Sequence, residues 1–275
     1  MWRLPPSVTS AGAGHPAYAS PVAELVYPPV IQFARGVFGA LGLRFTVSGA
    51  ENVPTEGGAV LASNHVGYLD FTFCGLAANP SRRLVRFMAK ESVFRHPVSG
   101  PLMRGMHHIP VDRAAGAAAF DAALAALKAG EIVGVFPEAT ISRSFLVKEL
   151  KTGAARMAQA ADVPIIPMAL WGSQRVYTKG RKPDRRRGVP ITIAVGEPFR
   201  PEPTADPVAV TADMGRRISA LLDGLQHSYP YQPAGDDDRW WLPASLGGTA
   251  PTPAEAAAMD EAERLERERK RTEGA

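Results

Sequence analysis

Seven short apolar runs, each four to seven residues long, recur along this chain with helix-like stretches between them, and this alternation constrains the fold more than any other feature. The runs are "RFTVSG" (44–49), "AVLAS" (59–63), "VRFMA" (85–89), "HIPV" (108–111), "IVGVF" (132–136), "PIIPMAL" (164–170) and "ITIAV" (191–195). Unbroken apolar runs of this length suit strands buried on both faces. Helical stretches are predicted at 69–78, 97–105, 114–129, 148–161 and 205–226. The third carries Phe120, Leu124 and Leu127 as its stripe, with Gly130 as a stop. Strands alternating with helices predict an α/β domain over residues 44–228, with a mostly parallel central sheet flanked by helices. With 275 residues, 45% of them apolar, the chain has enough material for one such core.

The flanks differ in composition. Residues 1–20 are rich in Pro, Gly, Ser and Ala and read as a disordered leader. Residues 21–43 read as an amphipathic, membrane-associating segment, with Pro28-Pro29 breaking it before a helix near 29–42. On that helix Val30, Ile31, Ala34, Val37, Phe38 and Leu41 share a face. That face suits either the protein's own core or a bilayer interface. Residues 229–275 read as a linker with a Trp pair, then a charged, solvated helix. Thr252, Pro253 and Glu255 mark that helix's start. Charge is unevenly spread. Residues 236–275 hold ten acids and six bases, and the rest holds 17 acids and 25 bases. A basic body suits an anionic partner such as a lipid surface or a phosphate-bearing substrate. Cys74 is the single cysteine, which excludes an intrachain disulfide and fits a reducing, cytoplasmic-side location. No stretch reaches the roughly 18 apolar residues of a spanning helix, and the start lacks a secretory signal's layout.

Four stretches hold candidate chemistry. In "SNHVGYLDF" (63–71), His65 lies five residues before Asp70. On one continuous helix the two would be about 140° apart. A turn at Val66-Gly67 would let Asp70 accept from one ring nitrogen and leave the other as a base. The alternative is that Asn64 caps a helix and His65 is incidental. "RGMHHIPVDR" (104–113) ends a strand on Asp112-Arg113, an anion site or an ordinary surface ion pair. Its adjacent histidines predict one ring inward and one outward rather than a metal. "VGVFPEATISRS" (133–144) runs a strand into a loop bearing Glu138, Thr140 and Arg143, at the strand end where open α/β sheets bind ligands. The fourth, "VPIIPMAL" (163–170), is a buried strand broken by Pro167. Beyond it, six bases and one acid lie between Lys179 and Arg187, a solvated loop or a grip for anionic headgroups. No aromatic residues interleave with these bases, which argues against nucleic acid. The chain has no G-x-S-x-G, H-E-x-x-H or G-x-x-x-x-G-K motif.

Taken in order, the four blocks resemble the glycerophospholipid acyltransferase family, over roughly residues 45–200. Asn64, His65 and Asp70 match its N-H-x-x-x-x-D motif. "FMAKESVFRHPVSGPLMRGMHHIPVDR" resembles the second block, including Lys90, Gly105 and Arg113, and "VFPEATISRS" resembles F-P-E-G-T-R-S. Ala139 stands where that family has glycine, and Ile141 where it has its phosphate-binding arginine, with Arg143 two residues later.

The resemblance implies an acyltransferase that moves a fatty acyl group from acyl-CoA or acyl carrier protein to the hydroxyl of a lysophospholipid, typically 1-acylglycerol-3-phosphate. It implies no metal and no cofactor beyond that co-substrate. His65 and Asp70 would form the catalytic dyad, with the substrate hydroxyl in place of a nucleophilic serine. Asn64, Lys90, Arg113, Glu138, Thr140 and Arg143 would bind substrate. Because acceptor and product live in the bilayer, it also implies a peripheral, monotopic protein on the cytoplasmic face of the membrane. Rival readings are a transacylase or lysolipid hydrolase using the same dyad, and a non-catalytic membrane-binding protein.

Overall fold

The computed structural model describes residues 24–112, 116–184 and 186–273. Along the chain these form α1 (Tyr27–Ala40), β1 (Arg44–Ser48), β2 (Ala59–Ser63), α2 (Asp70–Ala77), β3 (Val85–Lys90), α3 (Glu91–Arg95), α4 (Ser99–Gly105), β4 (Ile109–Val111), α5 (Gly116–Lys128), β5 (Ile132–Val135), α6 (Gly153–Ala161), β6 (Ile165–Trp171), β7 (Pro190–Val195), α7 (Pro207–His227) and α8 (Pro253–Glu273). The sheet has seven strands in the order β1-β7-β6-β2-β5-β3-β4. All neighbours run parallel except β6 and β7, which are antiparallel.

The central strands are apolar along their whole length because both faces are covered. On β2, Ala59 and Leu61 point into one core with α2 and the C-terminal part of the chain, while Val60 and Ala62 point into another with α5, α6 and α7. β6 runs straight through Pro167. Its ladder with β7 begins at Met168, so the missing N–H falls at the ladder's end.

Three expectations are corrected. Pro28 and Pro29 do not break the first helix but sit in its first turn, where their missing N–H groups have no helical partner to lose. The apolar stripe of α1 faces the protein: Tyr27 and Ile31 pack with Phe94 and Met103, and Phe38 packs on Phe73 and Phe45. Of its two readings, the stripe takes the one that faces the protein's own core. The large apolar side chains that α1 leaves exposed are Phe33, 73% exposed, and Val37. Finally, α6 begins at Gly153 rather than 148, because the residues before it bond to the loop after β5. The Lys151 N–H donates to the Pro137 carbonyl and the Lys148 N–H to Glu138.

The segment read as a linker is part of the core. Trp241, 1% exposed, packs against Trp171, Tyr229 and Tyr231. The Arg175 guanidinium lies over Tyr231 and Trp241, 3.8 and 4.5 Å from their ring centroids. Replacing a fully buried Trp by Ala typically costs about 3–5 kcal/mol. Trp241→Ala is expected to lower the unfolding free energy by that amount, read from urea denaturation with fluorescence and circular dichroism as probes.

Candidate active site

Four adjacent parallel strands, β6, β2, β5 and β3, end at one edge of the sheet, and each delivers a part of the site there. β2 leads into His65, and α2 begins at Asp70. β5 leads into Phe136 and Glu138, β3 ends on Lys90, and β6 is followed by Ser173.

His65 Nδ1 lies 2.9 Å from Asp70 Oδ2. The same oxygen accepts the backbone N–H groups of Val66 and Gly67 at 2.7 and 2.8 Å. The Ser173 hydroxyl donates to Asp70 Oδ1 at 2.5 Å. A carboxylate surrounded by donors takes the Nδ1 proton as a further hydrogen bond, which fixes the tautomer and leaves Nε2 basic. The turn that makes this possible needs Gly67. A Cβ there would sit 2.9 Å from Ser173 Oγ and 3.0 Å from the Tyr177 carbonyl oxygen. The imidazole stacks on Phe136, with ring centroids 4.2 Å apart. It is 20% exposed and lines a cavity of about 960 Å³, whose wall includes Phe71, Phe87, Met88, Met103, Phe120 and Met157. An oriented imidazole facing an apolar cavity can take a proton from a hydroxyl held beside it.

The other predicted residues divide into three groups. Asn64 is buried, and its amide is used within the fold, donating to the Leu170 carbonyl and accepting the Leu170 N–H. It does not cap α2, whose first residue lies six positions further on. Glu138 is also buried. It accepts the His65 N–H at 2.8 Å and the Lys148 N–H at 3.3 Å, so it braces the backbone on either side of the site. Lys90 reaches the cavity wall, together with Lys151 and Arg156. Arg113 lies outside the described residues. Thr140 and Arg143 belong to a cluster off the cavity wall. Lys148 Nζ lies 3.4 Å from Thr140 Oγ1, and Arg143 is ion-paired to Asp260 and Glu263 of α8 at 3.2 and 3.0 Å.

The loop after β5 holds both departures from the family pattern. Ala139 has φ +59°, the left-handed region where glycine is unstrained. Ile141 is buried, while Arg143, two residues on, faces the charged cluster. Ser173 and Lys148 are the residues that sequence reasoning missed, while Lys179 opens the basic run read as a solvated loop or a grip for anionic headgroups. Ser173 immediately follows the turn after β6, and both lysines lie in irregular segments whose contacts depend on the tertiary fold. Of the paired histidines, His108 is buried and accepts the Phe87 N–H on Nδ1, and His107 faces out.

Burial pushes the Glu138 carboxyl up to about 8, against the opposing pull of the His65 and Lys148 N–H groups. The unfolded chain releases this proton near the ordinary 4.5, and the folded chain holds it to about 8. The contribution to stability is therefore whole below the first value and lost as pH rises through the second. The stability of wild type minus that of Glu138→Gln is expected to fall between about pH 5 and 8 and level off above, as measured by urea unfolding across that range.

A sequence model described as Acyltransferase matches residues 44–171. The 1-acyl-sn-glycerol-3-phosphate acyltransferase of Bacillus subtilis is 30% identical over 185 residues, covering 64% of this chain and 86% of the relative. The enzyme of the same description from Limnanthes douglasii is 32% identical over 156 residues, 55% of this chain and 53% of its own. In fold, the chain is similar to the crystal structure of the 1-acyl-sn-glycerophosphate acyltransferase of Thermotoga maritima, with TM-score 0.63 and 21% identity over 74% of this chain and 81% of that one. With the Bacillus relative matched over most of its length, the chain belongs to the glycerophospholipid acyltransferase family and is an O-acyltransferase.

Proposed function

We propose that this protein transfers a fatty acyl group from a thioester donor, acyl-CoA or acyl carrier protein, to the free hydroxyl of 1-acylglycerol-3-phosphate, giving phosphatidic acid. The observation that carries the reading is the His65–Asp70 pair at the wall of an apolar cavity. The acceptor hydroxyl gives its proton to His65 Nε2 as its oxygen bonds to the thioester carbonyl carbon. The tetrahedral intermediate then collapses, the carbon–sulfur bond breaks, and the departing thiolate takes the proton from His65. The ester is the product, and no acyl-enzyme forms. Asp70 keeps the ring in one tautomer throughout and offsets the transient imidazolium charge.

The cavity suits an acyl chain, since its wall is made mainly of aromatic, Met, Val and Ala residues. Lys90, with Lys151, suits phosphates of the donor at the rim. Arg143, with Lys148 beside Thr140, suits the acceptor's phosphate. Asn64 and Glu138 position the loop rather than touch substrate, as their bonding within the fold supports. Approach to a bilayer, at its cytoplasmic face, fits the apolar side chains turned outward on α1, on α4 and just before α4: Phe33, Leu102 and Val98. The proposed contact is peripheral, and among the described residues no helix is long and apolar enough to cross a membrane.

His65→Ala is expected to cut turnover by roughly 10²–10⁴-fold or more while thermal unfolding and liposome binding stay near wild type. Near-wild-type turnover would remove His65 from the mechanism. Radiolabelled acyl-CoA offered with lysophosphatidate should yield labelled phosphatidate, whereas free fatty acid alone would identify a hydrolase. Arg143→Ala is expected to raise the acceptor KM far more than the donor KM in steady-state assays.

A further inference from the structure

Two acids of α8 sit on three cations beside the site. Asp260 meets Arg143 Nε at 3.2 Å, Lys148 Nζ at 2.9 Å and Lys179 Nζ at 2.8 Å. Glu263 meets Arg143 Nη2 at 3.0 Å and Lys179 Nζ at 2.7 Å. The cations come from two segments, Arg143 and Lys148 from the connection between β5 and α6 and Lys179 from the loop after β6. They converge next to His65. The Ser142 N–H, one residue before Arg143, donates to the His65 carbonyl at 2.7 Å. The Thr178 hydroxyl, one residue before Lys179, donates to the Val66 carbonyl at 2.6 Å. Two carboxylates present four oxygens and two negative charges, close to what a phosphate monoester presents.

We propose that Asp260 and Glu263 occupy the acceptor's phosphate site, so that α8 is a competitor built into the chain and must leave before a phosphate-bearing acceptor binds. The inference rests on the reading of Arg143 as part of that site.

The way α8 is held fits a part that comes off. Only Ala256 is buried among its described side chains, and Asp260 and Glu263 lie on the same face at spacings of four and three. Met259 and Leu265 are exposed. A helix without an apolar docking face is retained by charge, and charge is screened and exchanged readily. Its start is fixed instead: Ala250 is buried, and its N–H donates to the Leu242 carbonyl. The helix can therefore leave the cations without the chain before it moving. Protonation is not the trigger. Burial would raise the Asp260 carboxyl, but Lys179 and Lys148 hold it down at about 2.

The test uses the full chain in two arms. In the first, hydrogen exchange over residues 253–273 is followed with lysophosphatidate micelles and, separately, with lysophosphatidylcholine micelles, whose phosphate is a diester beside a cation. Protection is expected to fall with the first and not with the second. Unchanged protection at saturating lysophosphatidate overturns the proposal, and so does equal loss with both lipids. In the second, the double variant D260N/E263Q is expected to lower the acceptor KM several-fold while the donor KM stays at the wild-type value. A raised or unchanged acceptor KM in a variant that melts like wild type overturns the proposal. A variant that fails to fold leaves the first arm to decide alone. Loss of α8 protection in a preparation that transfers nothing to lysophosphatidate supports the competition and removes the acceptor assignment. Active transfer with α8 fully protected does the reverse.

Discussion

Everything at this site depends on one carboxylate that water does not reach. Asp70 has no exposed surface and receives the His65 ring, two backbone N–H groups and the Ser173 hydroxyl. Taking a carboxylate out of water costs several kcal/mol. Hydrogen bonds to a charged group contribute about 1.5–3 kcal/mol each, so four together outweigh that cost where one or two would not. The arrangement therefore holds as a unit. It fixes the turn after β2, the first residue of α2 and the loop after β6 to one another, and the imidazole is oriented as a result. Asn64 adds a second tie between the same two strands through both polar atoms of its amide.

Around that anchor, polarity is divided by side. The apolar cavity lies between Phe136 and the helices α5 and α6, with cations at its wall in Lys90, Lys151 and Arg156. The second set of cations, Arg143, Lys148 and Lys179, lies off that wall and is covered by acids. His65 stands where the two regions meet. A base in that position can serve a reaction between one apolar and one anionic partner, provided each is held on its own side.

The strands were legible because a buried parallel sheet writes itself as unbroken apolar runs, and all seven lie within a residue or two of where those runs predict. His65 and Asp70 were legible for a local reason. Five residues with a glycine between them can close a turn, and the hydrogen bond confirms that closure. What could not be read depends on distant chain segments. Ser173 is 103 positions from Asp70, and Lys148 and Lys179 meet Asp260 across 112 and 81. No periodicity links such pairs. The stripe on α1 was ambiguous because a core face and an interfacial face have the same composition, and only packing against Phe73 and Met103 distinguishes them. Trp241 looked like part of a linker because the Gly, Pro and Asp residues around it resemble one, although its ring fills a place in the core.

That buried ring has a consequence for the order in which the molecule comes into being. Chains emerge from the ribosome N-terminus first, at about 5–20 residues per second, and fold as their parts become available. The last strand of the sheet ends at Val195, yet one face of the sheet is completed by Trp241 and Ala250. An apolar surface therefore waits, open, for about fifty further residues. The residues that close it lie directly before the helix that covers the cations. A nascent chain with this core complete has that helix next to emerge, so the sheet is finished and the cations are covered almost in the same step of synthesis.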